Sequence, residues 1–354
     1  IVLDQEIDDR GVDRLARRAI SRLEDPILLE SGDEAFISAS VGVTTVTSAE
    51  SAPERLLTEA DHALYRAKRS GRRRVVRFDA ALESELRQRT GLETSLRKAL
   101  RDGTLDTHGQ PIVVLQTGEL AGVELLARWT LDTGASVAPS VFIPLAEETG
   151  LIDDLTDMML RRAVELLVRW RDDPTLGHVQ VGLNLSTMQL GRSDVVERVA
   201  EVMQAHRIEP GRLVIELTES SEAHEFSEVA DKLDALHGLG ALIAMDDFGT
   251  GYSSLSSLLS FPITFVKLDR SLITDLGRDP RYSAIVRAVH QLADVVGQVV
   301  IAEGVETDAQ VEELRTLGVR CAQGFGICSP MPLDDLVDRL SEFAFPSAAA
   351  PSRH

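Results

Sequence analysis

From about residue 105 to residue 342, short apolar runs alternate with longer stretches in which apolar residues recur every three or four positions. The short runs GQPIVVL, GVELL, VQVGLNLS, RLVIELTE, ALIAMDD, FVKLD, QVVIAEGV and the segment around RCAQGFG predict strands. DDLTDMMLRRAVELLVRW and RYSAIVRAVHQLADVVG carry the helical period, and helices fill most of the gaps. Alternation of this kind predicts a parallel sheet with helices outside it. Eight strands in one such region fit a closed TIM-like (β/α)8 barrel over 105–342 better than an open sheet. Residues 1–79 read as a smaller α/β unit in the order strand, helix, strand, strand, helix, strand, with FISASVGVTTV as a strand and APERLLTEADHALYRAKRSG as an amphipathic helix closed by Gly71. Residues 80–104 are charged with helical spacing and predict a connecting helix, while 343–354 is rich in Ala, Pro and Ser and predicts a flexible tail.

Side chains near the C-terminal strand ends of such a barrel surround one pocket. Those ends supply Glu124, Asn184, Glu216, Asp246 with Asp247, Lys267, Glu303 and Gln323. Taken singly, each has a plainer explanation. An acidic strand end is usually a helix cap or a solvated loop residue, Asn184 could be an N-cap, Lys267 could pair with Asp269, and Glu306 of EGVET could lie on the surface. Six candidate ligands at successive strand ends are hard to explain as caps. Buried carboxylates in that number cannot all stay ionised without cations. The donors are all oxygen, which favours Mg2+ or Mn2+ over Zn2+. Adjacent aspartates let one carboxylate bridge two ions, the usual device for attack of water on a phosphodiester, with Lys267 orienting the water or offsetting charge.

The formal net charge of −20 argues against a nucleic-acid polymer or an anionic membrane as partner, although bound cations would admit a phosphate ligand. Cys321 and Cys328 are the only cysteines and read as free thiols of a reducing cytoplasm. No run of about 18 apolar residues is present, and IVLDQEIDDRG lacks the basic start and apolar run of a signal peptide, so the expected location is cytoplasmic with no membrane span.

GVELLARW, NLSTMQL, VIELTES, MDDFGTGYSSL, FVKLDRS, IAEGVET and QGFG, in that order, resemble the EAL-domain phosphodiesterases of bacterial cyclic-di-GMP signalling, over roughly residues 92–340. The resemblance implies metal-dependent hydrolysis of cyclic-di-GMP to linear 5′-pGpG. It implies one ion on Glu124, Asn184, Glu216 and Asp246, a second shared by Asp246, Asp247 and Glu303, and catalytic roles for Lys267 and Glu303. It further implies substrate contacts from Gln110, Arg128 and Gln323, bracing of the loop after the aspartate pair by Glu219, and a homodimer through the barrel domain. Three positions depart from the family pattern: Leu125 for the usual alanine, Gly109 for a common aromatic before Gln-Pro, and GICSPMP at the last motif. Leu125 and Gly109 leave open the reading of a catalytically weak or silent cyclic-di-GMP receptor; against a third, an unrelated two-metal barrel enzyme, stand the ordered motifs. ISASVGVTTV and ADHALYRAKRSGRRRVVRF resemble the C-terminal half of a GGDEF diguanylate cyclase domain. The family's signature loop would precede IVLDQ, and SGDEAF lies one strand too late to serve, so no cyclase activity is expected of this chain.

Overall fold

The computed structural model describes residues 9–45, 52–192, 194–218, 226–250 and 255–340. The chain forms two compact units, Ile1–Thr94 and Ser95–His354.

In the first unit, the helix Asp9–Leu23 precedes two short strands, Ile27–Leu28 and Glu34–Ala35, paired antiparallel. Their turn is closed by Leu29 N donating to Asp33 O at 2.8 Å, with Gly32 left-handed at φ 89°. This is the SGDEAF segment. The strand Val41–Val43 then pairs in parallel with Val75–Arg77, and the helix Pro53–Arg69 makes the crossover that parallel pairing needs. A Cβ on Gly42 would stand 2.1 Å from Ala60 O, so only glycine lets this strand pass so close to the helix. The strand expected over FISASVGVTTV is thus shorter, three residues from Val41, and the strand expected at IVLDQ lies outside the described residues. The helix Ala80–Asp102 begins in this unit and ends in the second, its first turn capped by Asp79, whose carboxylate accepts from Leu82 N at 2.8 Å.

In the second unit, eight strands close a barrel and are numbered here within it: β1 Asp106–Val114, β2 Leu120–Thr130, β3 Gln180–Leu185, β4 Leu213–Thr218, β5 Leu242–Phe248, β6 Ile263–Leu268, β7 Val299–Ala302 and β8 Cys321–Ala322. Each of the eight coincides with a predicted strand. β2 to β8 run parallel, but β1 is antiparallel to both of its neighbours, β2 and β8. The expectation of an all-parallel sheet is corrected there. Only residues 115–119 join β1 to β2, in a turn where Val114 N donates to Glu119 O at 2.8 Å and Gly118 is left-handed at φ 75°. That length makes a hairpin and leaves no room for a crossover helix.

Helices jacket the barrel. Ile152–Trp170 buries Leu155, Met159, Leu160, Ala163, Leu167 and Trp170 at helical spacing, each large side chain contributing about 1.5–3 kcal/mol of hydrophobic stabilisation. Inside the barrel, strand alternation builds two layers. Two residues before each polar strand end stands an apolar or small residue: Gly122, Gly182, Val214, Ala244, Phe265, Ile301 and Cys321, with Ile112 playing the part on the reversed β1. Together they line a cavity of about 30 Å³ beneath Glu216 and Lys267, about the space of one water. Ile112, Ile301 and Cys321 pack with Phe265 and Val299 as its apolar floor.

Candidate active site

The upper layer gathers seven of the predicted residues around one ammonium group. Lys267 is 1% exposed, and its Nζ lies 3.0 Å from Glu124 Oε2, 2.8 Å from Glu303 Oε1 and 3.5 Å from Asp246 Oδ1, and also hydrogen-bonds Glu216. Asn184 Nδ2 donates to Glu124 Oε1 at 2.9 Å. Gln323 Nε2 donates to Glu124 Oε2 and to Glu303 Oε1, each at 2.7 Å. The plainer explanations give way for Asn184 and Lys267. Asp269 instead caps a helix, accepting from Ser271 N at 2.9 Å, whereas Glu306 does lie near the surface and pairs with Arg270 at 2.6 Å.

Adjacent strand residues point to opposite faces, so Asp246 and Asp247 should not both face inward. The barrel solves this with a bulge. Met245 is paired with Val266 and Phe248 with Leu268, so two aspartates stand opposite the single Lys267. Asp247 takes a left-handed conformation, φ 55°, that few non-glycine residues adopt, and its N–H donates to Asp246 Oδ1 at 2.9 Å. Both carboxylates thereby reach the cluster.

Five carboxylates face one ammonium, and burial raises the protonation tendency of most of them. Burial is the first cause for Glu216, pushed well up with the nearby Glu124 charge adding to it, and for Asp246 and Asp247, both also raised. Glu303 is pushed up to about 8 by burial and by the charges of Asp246 and Glu124, against the pull of Lys267. Glu124 goes the other way although it is equally buried and shares Lys267 with Glu216. Its carboxylate accepts additional hydrogen bonds from Gln323 and Asn184, which hold the ionised form. Burial alone would lower Lys267, but the surrounding carboxylates hold it well above its ordinary value.

The residues present suit divalent cations bound by oxygen. Carboxylate oxygens of Glu124, Glu216 and Asp246 lie within 4.8 Å of one another, and so do those of Asp246, Asp247 and Glu303. Asp246 belongs to both triads. Gln323 Oε1, on the amide whose Nε2 bonds Glu124 and Glu303, is buried with no hydrogen-bond partner, an acceptor beside the cluster that a cation's water could satisfy.

Two more of the predicted residues, Gln110 and Arg128, stand beside this centre. Gln110, directly opposite Glu124 in the β1–β2 register, is buried and donates from Nε2 to Cys328 O at 3.2 Å. Arg128, opposite Asp106 near the end of β2, is half-buried. Burial pulls its guanidinium down while Glu124 and Asp106 hold it up. Glu219 lies outside the described residues. Leu125 is 1% exposed and, by strand alternation, lies on the opposite face from Glu124, so the side chain larger than the family's alanine is buried away from the carboxylates. Gly109 also faces away from the site. A Cβ there would meet Leu336 Cδ2 at 2.4 Å and Val123 Cγ1 at 2.9 Å, so Gly109 is a packing position under the helix Leu333–Leu340. One position that shapes the site was missed in the sequence: a Cβ on Gly182 would stand 2.1 Å from Glu216 Oε1. The Gly-x-Asn spacing before a strand end was its signal.

The EAL domain family matches residues 93–330, well over half of the chain. The chain belongs to the EAL domain family. The family described as diguanylate cyclase, GGDEF domain, matches residues 1–74, ahead of the EAL domain. The chain is 35% identical over 325 residues to the bifunctional diguanylate cyclase/cyclic di-GMP phosphodiesterase MucR of Pseudomonas aeruginosa, covering 91% of this chain and 47% of that protein. It is 35% identical over 354 residues to the cyclic di-GMP phosphodiesterase NbdA of the same species, covering 99% of this chain and 45% of that protein. The chain therefore spans about half the length of these curated relatives. Among solved structures, the PaMucR phosphodiesterase in complex with c-di-GMP superposes on this chain with a TM-score of 0.65 at 37% identity, covering 70% of this chain and 99% of that one.

Proposed function

We propose that the EAL domain hydrolyses one phosphodiester bond of cyclic di-GMP to give linear 5′-pGpG, with two Mg2+ or Mn2+ ions. The observation that carries this reading is the pair of carboxylate triads sharing Asp246 around a buried lysine. The names of MucR and NbdA and the c-di-GMP complex of the solved relative support the choice of substrate. Glu124, Asn184, Glu216 and Asp246 would hold one ion, and Asp246, Asp247 and Glu303 the other. Bound there, the ions would lower the pKa of water and neutralise charge on the phosphoryl group.

The chain's own residues supply the rest. Lys267 is fixed by its carboxylate partners at the centre of the cluster, where its ammonium orients the incoming water and offsets negative charge. Glu303 touches Lys267 and is the most exposed of that lysine's carboxylate partners, at 16% of its side chain, so it is placed to take the water proton. As the water oxygen bonds to phosphorus, the bond from phosphorus to the 3′ oxygen breaks, and that oxygen leaves with a proton from solvent. Gln110, Arg128 and Gln323 rim the centre and orient the dinucleotide.

The test is product chromatography after incubation with cyclic di-GMP and each cation in turn. Mg2+ and Mn2+ should yield the linear dinucleotide. Ca2+ should not, because its longer bonds and higher ligand number misplace the water. Tight binding of cyclic di-GMP without linear product under Mg2+ or Mn2+ would make the protein a receptor and overturn the proposal.

A further inference from the structure

Glu303 opens the loop 303–307 between β7 and the helix Asp308–Leu317. Its carboxylate is held at the cluster by Lys267 Nζ at 2.8 Å and Gln323 Nε2 at 2.7 Å, and the backbone that carries it is held separately. Part of the hold is ordinary strand pairing, with Glu303 N donating to Leu268 O at 3.1 Å. The Arg270–Glu306 pair lies in solvent and is open to screening. Gln310, by contrast, is 6% exposed and uses both ends of its amide. Its Oε1 accepts from Glu306 N at 2.8 Å and Thr307 N at 3.0 Å. Its Nε2 donates to Ile273 O at 2.9 Å and Thr274 O at 3.3 Å, at the end of the short helix Arg270–Ile273 that follows the strand of Lys267.

Gln310 is also the third residue of a capping box with Thr307. A capping box needs only the acceptor oxygen, and glutamate serves it as well as glutamine. The donor end answers to a different demand. It reaches 37 residues back along the chain to another loop, and a glutamate there would turn an oxygen onto two carbonyls.

We infer that Gln310 is a positioning residue for Glu303: its buried amide ties the loop carrying Glu303 to the segment following Lys267 and so sets the reach of that carboxylate to a second divalent ion. The inference rests on the two-ion reading above. Side chains hydrogen-bonded to metal ligands commonly change metal affinity by about 10–100-fold when altered, and Gln310 acts one step further out, through the backbone of the loop that carries Glu303.

Two variants separate the bridge from the cap. Gln310→Glu keeps the cap acceptor and loses the donor, while Thr307→Val loses the other half of the box and keeps the bridge. Mn2+ binding to the full chain is measured by titration calorimetry beside thermal melting and hydrolysis. The parent should bind two Mn2+. Gln310→Glu should weaken one of them about tenfold or more and leave the other within twofold, whereas Thr307→Val should lower the melting temperature and leave both affinities unchanged. Should Gln310→Glu fail to fold, Gln310→Met carries the same expectation. Unchanged Mn2+ binding in the bridge variant overturns the inference, as does equal weakening of both ions, or weakening by Thr307→Val. A parent that binds two Mn2+ but hydrolyses nothing sinks the phosphodiesterase reading and leaves this inference standing. A parent that binds fewer than two ions sinks the inference itself.

Discussion

At the scale of single residues, Lys267 has the largest task. One ammonium partners four buried or nearly buried carboxylates, so Lys267→Met leaves them without a counter-charge. In EDTA at pH 8 the variant should lose about 3 kcal/mol or more, the usual effect of breaking a buried pair from one side. Mn2+ should restore much of that stability in chemical denaturation while hydrolysis stays at least about a hundredfold down. The same cluster sets a pH dependence. Glu303, raised to about 8, and Glu216, Asp246 and Asp247, also raised, bind protons more tightly in the folded chain than in the unfolded one. Their contribution to stability is fully present below the unfolded carboxylate pKa of about 4.3 and is lost as pH rises through the folded values. Glu124, lowered, opposes this alone among the carboxylates around Lys267. The metal-free protein should therefore be less stable at pH 8.5 than at pH 6. Because ions compete with those protons, saturating Mg2+ should raise the melting temperature more at pH 8.5 than at pH 6. An equal rise at both pH values would show that the ions bind elsewhere.

At the scale of elements, the strands place the site by what they leave out as much as by what they carry. Gly182 on β3 opens the space that Glu216 of β4 occupies, and Gly182→Ala would put a methyl 2.1 Å from its oxygen. What yields is the end of a flexible side chain, so the fold should survive with little change in melting temperature. That side chain is a proposed ligand, and a displacement of about 1 Å at a reacting centre commonly costs about a hundredfold in rate. Hydrolysis and circular dichroism on one preparation check both halves. Gly109→Phe tests the opposite relation. With Leu336 and Val123 filling the space beside Gly109, an aromatic should destabilise the barrel by about 1–3 kcal/mol through overpacking. The KM for cyclic di-GMP should not fall, and a lower KM would mean that this position does face the substrate. The alternation of the strands was readable in the chain, and with it seven of the site residues. The bulge at Asp246–Asp247 was not, because register is a relation between β5 and β6 that neither strand contains alone.

At the scale of the whole molecule, the net charge of −20 repels an anionic dinucleotide even where bound cations offset the carboxylates of the site. Repulsion is strongest when unscreened, and the screening length shrinks from about 30 Å at 0.01 M salt to about 8 Å at 0.15 M. Over that range, at saturating Mn2+, kcat/KM for cyclic di-GMP should rise about twofold or more. A fall would mean that a local positive field near the mouth, with Arg128 the first candidate, outweighs the global charge. No helix among the described residues is long and apolar enough to cross a membrane.

The chain by itself determined the eight barrel strands, the polar residues that end them and the oxygen chemistry of the set, because each is a local matter of periodicity and residue type. It also carried, unread, the reason for the reversed first strand: the five residues 115–119 are too few for a crossover. Only the tertiary structure decided that Lys267 sits among four carboxylates rather than beside Asp269, that Asp247 turns inward, that Gly109 faces a helix, and that Glu124 ionises where Glu216 resists. Each of these depends on which groups meet from strands far apart in sequence. Hydrogen bonds, burial and charge act through distances that exist only once the barrel has closed.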